Sequence, residues 1–268
     1  VKTSGGLHYG ILINTGSGYN ISNNVIGYAS ENGTGRTSIM GASADIVGFP
    51  ASYSLPASTK TLAFVGISCG FTAGASSLIS SNTIAAMDMF TDNGNTGTYG
   101  IWTGIYQESG NADIKDNIIG STTGSGSIYV ATTGNLGQVN GIRAVSSGYT
   151  SISGNQIGGI LASGTSATIS PALTGISFGG TGSFDVYNNT IGNNTAFNLK
   201  QGYLFDGSNL SSSGTNTAVN STAAFTGINS TVTGTAVRIS NNTLQGWETA
   251  TTSGNITGIG CSGIMIGL

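Results

Sequence analysis

The feature that most constrains the fold of this chain is a six-residue phrase that recurs six times. Each copy reads as an aliphatic residue, two small or polar residues, Asn, any residue, and then Ile or Leu. A Gly-Ile pair precedes each copy by ten to thirteen residues, and a seventh pair stands at Gly258-Ile259. The fourth position of every copy is occupied by the same residue type: Asn24, Asn82, Asn117, Asn155, Asn189 and Asn242. Internal repetition of this kind predicts a stacked repeat architecture.

Elementary packing explains why such phrases favour stacking. A short strand that carries one or two inward aliphatic side chains cannot bury them alone, whereas stacked coils line a continuous core with the same position of every turn. We place the repeated Asn at a corner, because Asn tolerates left-handed backbone angles. Its side-chain amide can bond to the next Asn of the column, forming a ladder. The glycine of Gly-Ile is predicted to serve a similar corner.

The combined phrase, Gly-Ile followed by Ile-x-x-Asn-x-Ile-Gly, resembles the parallel β-helix repeat of pectate-lyase-like proteins. Its Asn-Asn-Thr-Ile form resembles very large secreted or surface repeat proteins of Bacteroidetes-type bacteria. The resemblance covers nearly the whole chain and implies an all-β fold, a single-stranded right-handed parallel β-helix of about seven coils. Residues 1–268 are then one continuous segment, and we expect the native protein to continue on both sides because no terminal cap is visible. Whether each repeat makes one coil or two is left open.

Composition narrows the classes of function. Only 6% of residues are charged and the net charge is −3, without a basic cluster, so the electrostatic footprint of a nucleic-acid binder is missing. No apolar run approaches the roughly eighteen residues of a membrane span. No cluster of His, Cys and Asp has metal-ligand spacing, so neither a metal nor another cofactor is expected. The uncharged polar surface suits an extracellular or cell-surface setting, with glycans or other copies of the chain as candidate partners.

That resemblance leaves several functions open, because β-helices host lyases, glycosidases, tailspikes and passive stalks alike. A structural or adhesive segment is our preferred hypothesis, and the alternatives are a polysaccharide-acting enzyme and a tailspike-like glycan binder. The candidate catalytic pair is Asp113 and Asp185, which both precede the first aliphatic of the Asn phrase. They share an outward column, two coils and about 10 Å apart. Arg238 occupies the same column one coil further on, which also allows a surface ion pair.

Aromatic side chains are the candidates for stacking on sugars. We single out Tyr53, Tyr106, Tyr203 and Trp247, whereas Trp102 falls at a core position. Tyr53 and Tyr203 lie in two long inserts, residues 28–63 and 193–224. Each insert is predicted to be either a protruding loop with a binding role or an extra strand that widens its coil.

The two cysteines, Cys69 and Cys261, both stand three residues after the glycine of a Gly-Ile pair. They should therefore share one column, five coils and about 24 Å apart. That separation is far beyond disulfide reach. We predict free, unreactive thiols.

Overall fold

A computed structural model describes residues 6–27, 35–41, 61–94, 97–124, 126–134, 137–164, 168–194, 198–204, 223–234, 236–251 and 254–261. These residues form twenty-five β-strands, and every pairing between them is parallel. Across these ranges we find no helix, and hence none long and apolar enough to cross a membrane.

Four successive strands make one coil, and there are six such coils followed by a single strand. The first three coils comprise β1 (Gly6–Ile13), β2 (Asn20–Ser22), β3 (Val25–Gly27) and β4 (Thr37–Met40); β5 (Leu62–Gly70), β6 (Ser77–Ser80), β7 (Thr83–Ala85) and β8 (Met87–Thr91); and β9 (Trp102–Ser109), β10 (Ala112–Lys115), β11 (Ile118–Gly120) and β12 (Ile128–Thr132). The remaining coils comprise β13 (Gln138–Val145), β14 (Tyr149–Ser153), β15 (Gln156–Gly158) and β16 (Ile160–Gly164); β17 (Ala172–Gly180), β18 (Ser183–Tyr187), β19 (Thr190–Ile191) and β20 (Leu199–Leu204); and β21 (Phe225–Val232), β22 (Val237–Ser240), β23 (Thr243–Leu244) and β24 (Trp247–Thr249), with β25 (Ile256–Cys261) above them.

Strands at the same place in successive coils pair to form four parallel sheets. Sheet A holds the seven Gly-Ile strands in the order β1-β5-β9-β13-β17-β21-β25, and sheets B, C and D hold the second, third and fourth strands of the six coils. The fold is a right-handed parallel β-helix, the hand that parallel crossover connections favour. Each repeat contributes one strand to each sheet, so one repeat makes one coil.

The core is built from columns of aliphatic side chains, one or more from each sheet. In sheet A, the Gly-Ile isoleucines are in register: Ile11, Ile67, Ile105, Ile142, Ile176, Ile228 and Ile259. The first and last aliphatics of the Asn phrase form the columns of sheets B and C. In the middle coils these side chains are completely buried, as Ile142, Ile152 and Ile157 illustrate. Trp102 lies in the same core and is 0% exposed, as the sequence predicted.

The six repeated asparagines form the predicted ladder at the corner between sheets B and C. In the middle of the stack, the Oδ1 atom of Asn155 accepts two hydrogen bonds from Asn117, from its backbone N–H at 3.0 Å and from its Nδ2 at 2.9 Å. The Nδ2 atom of Asn155 donates to the Oδ1 atom of Asn189 and to the carbonyl of Ile114, both at 2.9 Å. The same pattern links Asn24 to Asn82 and continues up to Asn242. Every amide group in the buried part of the ladder is therefore satisfied.

The left-handed backbone conformation at each corner belongs to the residue before the ladder asparagine. Our prediction, which placed it on the ladder asparagine itself, is wrong. The residue before each ladder position has φ between 55° and 65°: Asn23, Ser81, Asp116, Gly154, Asn188 and Asn241. Asn, Asp and Gly are the residues that adopt this region most readily. The ladder asparagine is thus free to use its side chain for the bonds between coils.

The glycine of Gly-Ile lies within a strand of sheet A and does not serve a corner, contrary to the sequence prediction. Its role is close approach between coils. A Cβ atom on Gly104 would lie 2.6 Å from the carbonyl oxygen of Gly141 and 3.0 Å from the Ile119 side chain. Such a glycine column lets the sheet C isoleucines pack directly against the sheet A backbone.

Both long inserts contain the sheet D strand of their own coil, so neither strand is additional to the helix. β4 lies within insert 28–63 and β20 within insert 193–224. Most of each insert, including residues 42–60 and 205–222, lies outside the described residues, and so does Tyr53.

One buried ion pair fixes the corner between sheets C and D in the first two coils. Arg36 forms two hydrogen bonds with the Asp88 carboxylate, at 2.7 and 2.8 Å, and also donates to the Ser127 carbonyl one coil further on. Asp88 is 1% exposed. Burial raises the pKa of the Asp88 carboxyl above its ordinary value, and the Arg36 guanidinium opposes that rise.

Replacing Arg36 by Met should therefore lower the free energy of unfolding by about 2 kcal/mol at pH 7, because a buried carboxylate is left without its partner. The pKa of Asp88 in the folded state would rise further. The folded protein then binds a proton that the unfolded chain, with a carboxyl pKa near ~4, does not bind. Stability of the variant should recover as the pH falls from 7 toward about 4, and urea denaturation at several pH values measures this.

Arg238→Met is the control, because it removes an exposed partner of Asp185 and should cost under about 1 kcal/mol. Equal losses of stability for the two variants would contradict the assignment of Arg36 and Asp88 as a buried ion pair.

Candidate functional site

The two candidate catalytic carboxylates lie in the predicted outward column of sheet B. Asp113 pairs in register with Ser151, and Ser151 pairs with Asp185. Asp185 forms an ion pair with Arg238 at 2.6 Å and accepts a hydrogen bond from the Tyr149 hydroxyl at 2.9 Å. Asp113 accepts one from the Ser76 hydroxyl at 3.3 Å. This geometry contains the surface ion pair that the sequence allowed, and a catalytic role for the two carboxylates stays a prediction.

Two of the aromatic candidates do not present a ring to solvent. Tyr106 is 1% exposed, and its ring meets that of Tyr99 edge-on at 5.0 Å. Tyr203 is 4% exposed and lies in a second apolar cluster on the outward face of sheet D, with Tyr129 and Leu161. The accessibility that sugar stacking requires is absent at both positions, so our prediction of exposed rings is wrong there.

Trp247 is half-buried and belongs to the edge of the core. Its ring lies 4.5 Å from that of Phe225, and its Nε1 donates to the Ile191 carbonyl at 3.1 Å. These contacts pack the indole against the edge of the core. Its predicted sugar contact is limited to the part of the ring that stays exposed.

The two cysteines occupy the predicted column of sheet A, where Cys69 is followed by Gln107, Ala144, Phe178, Ser230 and finally Cys261. Both are free thiols. Cys69 is completely buried, and burial raises its pKa to about 12. Cys261 is exposed, so the burial that keeps Cys69 unreactive is missing at that position.

We expect Ellman's reagent at pH 8 to modify one thiol per native chain, at Cys261, and two thiols per chain in denaturant. The physical reason is that a buried thiol offers neither access nor a populated thiolate. Mass spectrometry of tryptic peptides identifies the modified cysteine. Rapid modification of Cys69 in the native chain would contradict the burial of this column.

A surface cleft that the sequence did not reveal lies at the corner between sheets C and D. In the fourth coil this corner consists of Gly159 alone, between β15 and β16. The coils below and above have longer corners, residues 121–127 and residues 192–198. The two longer corners stand on either side of the tight one and leave a cleft of about 370 Å³.

Hydrogen bonds link the two longer corners to each other across the tight one. Asn193 Nδ2 donates to the Thr122 carbonyl at 2.8 Å, and Asn198 Nδ2 donates to the Gly124 carbonyl. The Oδ1 atom of Asn198 accepts the N–H of Gly159 at 3.0 Å. The tight corner is thus tied to the corner of the fifth coil, which in turn contacts the corner of the third.

The lining of the cleft is uncharged, and most of its residues are polar. It consists of hydroxyl and amide residues with one isoleucine and one glycine: Ser121, Thr122, Thr123, Gln156, Ile157, Thr190, Gly192, Asn193, Asn194 and Gln245. Gln156 and Thr190 are neighbours in one outward column of sheet C, since the residues that follow them, Ile157 and Ile191, point into the core.

Comparison with known proteins gives no match: no family model, no curated protein and no solved structure is significantly similar to this chain. The class of protein is therefore defined by its own geometry, a parallel β-helix with an asparagine ladder. In the parts of the chain that the structure describes, no three His, Cys, Asp or Glu residues gather as metal ligands would.

Proposed function

We propose that this chain is a rigid structural or adhesive segment of a secreted or cell-surface bacterial repeat protein. The observation that supports this proposal most strongly is the uninterrupted ladder of six asparagines beside a continuous aliphatic core. The residues that define the repeat all serve stacking. A stack in which every coil repeats the same contacts gives a stiff rod whose length grows with coil number.

The composition of the surface favours an extracellular position. Charged residues make up only 6% of the chain, and the sequence is rich in Gly, Ser, Thr and Asn. Such a surface avoids the strong electrostatic attraction of a nucleic-acid binder and can form hydrogen bonds with neutral glycans or with neighbouring copies of the chain.

Adherence and turnover can be measured together to test this proposal. Beads coated with the folded chain are passed under flow over immobilised neutral and acidic polysaccharides, and the effluent is assayed for released or unsaturated sugars. The proposal expects retention of beads on at least one surface without release of products. Product release that is lost in Asp113→Asn and Asp185→Asn would establish the enzyme alternative. If the beads are not retained and no product is released, an adhesive role is contradicted.

A further inference from the structure

We infer that the cleft at the fourth coil, between residues 121–123 of the third coil and residues 192–194 of the fifth, is a binding site for a neutral, multiply hydroxylated ligand, namely a saccharide unit. This inference rests on the adhesive part of the proposed function and assigns a surface to it. The cleft volume of about 370 Å³ lies at the lower end of the range for small-molecule sites.

The chemistry of the lining selects the ligand class. Among the described residues that line the cleft, none is charged, so an anion would lack Arg or Lys partners and a metal ion would lack carboxylates. An apolar ligand would cover the side-chain polar groups of Gln156 and Thr190 without offering them hydrogen bonds. Hydroxyl and amide groups both donate and accept, and each sugar hydroxyl also does both.

Gln156 and Thr190 are the residues on which recognition would depend most. Their side chains form no hydrogen bond with any residue that the structure describes, and their backbones are fixed in adjacent strands of sheet C. Their hydrogen-bonding groups can therefore meet a ligand without first breaking contacts within the protein. The methyl group of Thr190, on the outward face of the same sheet, offers an apolar contact for sugar C–H groups.

The architecture explains why the site occurs at this coil. Glycine is required at the tight corner and at the residue before it, because a Cβ atom on Gly158 would lie 2.3 Å from Asn198 Oδ1 and one on Gly159 would lie 2.8 Å from the Cβ of Ser121. The Gly-Gly pair thus lets the corner remain short while both neighbouring corners extend past it. Loops that vary between repeats on one edge of a solenoid are a usual place for binding.

The test uses saturation-transfer NMR on the whole chain, with methyl glycosides of glucose, galactose and mannose and with N-acetylglucosamine. For a ligand of this size we expect a Kd on the order of 1 mM for at least one probe. Gln156→Leu and Thr190→Val should each weaken binding by about tenfold or more, because a hydroxyl of the bound sugar is then left without its hydrogen-bond partner. Thr243→Val is the matched control, since Thr243 occupies the same column one coil further on and lies outside the cleft; it should leave the Kd unchanged.

The inference is overturned if none of the four probes receives saturation at concentrations about tenfold above the expected Kd. It is also overturned if Gln156→Leu binds as tightly as the unchanged chain. Thermal melting of each variant is measured alongside. If the unchanged chain melts normally but binds no saccharide, the inferred site is wrong and the structural role is unaffected. If the coils prove to stack differently, the structural role itself is wrong.

Discussion

Replacing Asn155 by Ala is expected to lower the free energy of unfolding by roughly 4 kcal/mol. The substitution removes the acceptor of both Asn117 bonds and the donor to the Ile114 carbonyl. All of these groups are buried, so water cannot replace the lost partner. Leaving a buried polar group unsatisfied costs about 1–3 kcal/mol. Urea denaturation followed by circular dichroism measures the change.

Asn24→Ala is the matched control at the end of the ladder. The side chain of Asn24 is half-buried and donates to Asn82 Oδ1 and to the Ser22 carbonyl, but its Oδ1 atom receives no bond from another ladder asparagine. Its backbone N–H keeps its bond to Asn82 after the substitution. We expect a loss of about 1 kcal/mol. Equal losses at the two positions would contradict a ladder that is strongest in its buried interior.

Gly141→Ala is the second substitution with a large expected effect. The new Cβ atom would lie 2.6 Å from the carbonyl oxygen of Gly175 and 2.7 Å from Ile157 Cγ2. The first contact is with backbone in the next strand of sheet A and the second with a fully buried core side chain, so neither neighbour can retreat. We expect a loss of about 3 kcal/mol or more in the free energy of unfolding.

Gly258→Ala tests the same column where it is open. A Cβ atom on Gly258 would approach nothing closer than the Leu244 side chain at 4.0 Å. The variant should therefore match the stability of the unchanged chain within about 0.5 kcal/mol. If Gly141→Ala were equally harmless, the glycine column could not be explained by the close approach of neighbouring coils.

The sequence predicted the ladder because the ladder depends on residue identity at one repeated position. The left-handed corner was assigned one residue too late, since the position that adopts it varies among Asn, Ser, Asp and Gly and so shows no single repeated letter. The role of the Gly-Ile glycine was also missed. Contact between a glycine and the carbonyl of the next coil is a property of stacked backbones, and no pattern within one repeat reveals it.

The cleft could not be predicted for a related reason. It results from a difference in length between corners of adjacent coils, and its lining comes from four successive coils. A partial signal existed in the Gly158-Gly159 pair, which is followed directly by Ile160, whereas Gly120 is followed by a Ser- and Thr-rich stretch. Tyr106 illustrates a different error, because it was singled out for stacking on sugars although its ring is covered in the fold.

The central claim is that one repeat forms one coil throughout a single stack, and a distance measurement between spin labels tests it most directly. Labels are attached to cysteines introduced at Val25 and Thr243, which lie five coils apart in one exposed column of sheet C. Cys69→Ala and Cys261→Ser remove the native thiols. At ~4.8 Å per coil the backbone separation should be about 24 Å, and moving the first label to Thr83 should shorten it by about 5 Å. A separation near ~48 Å, as two coils per repeat would give, or no change between the two pairs, would contradict the account.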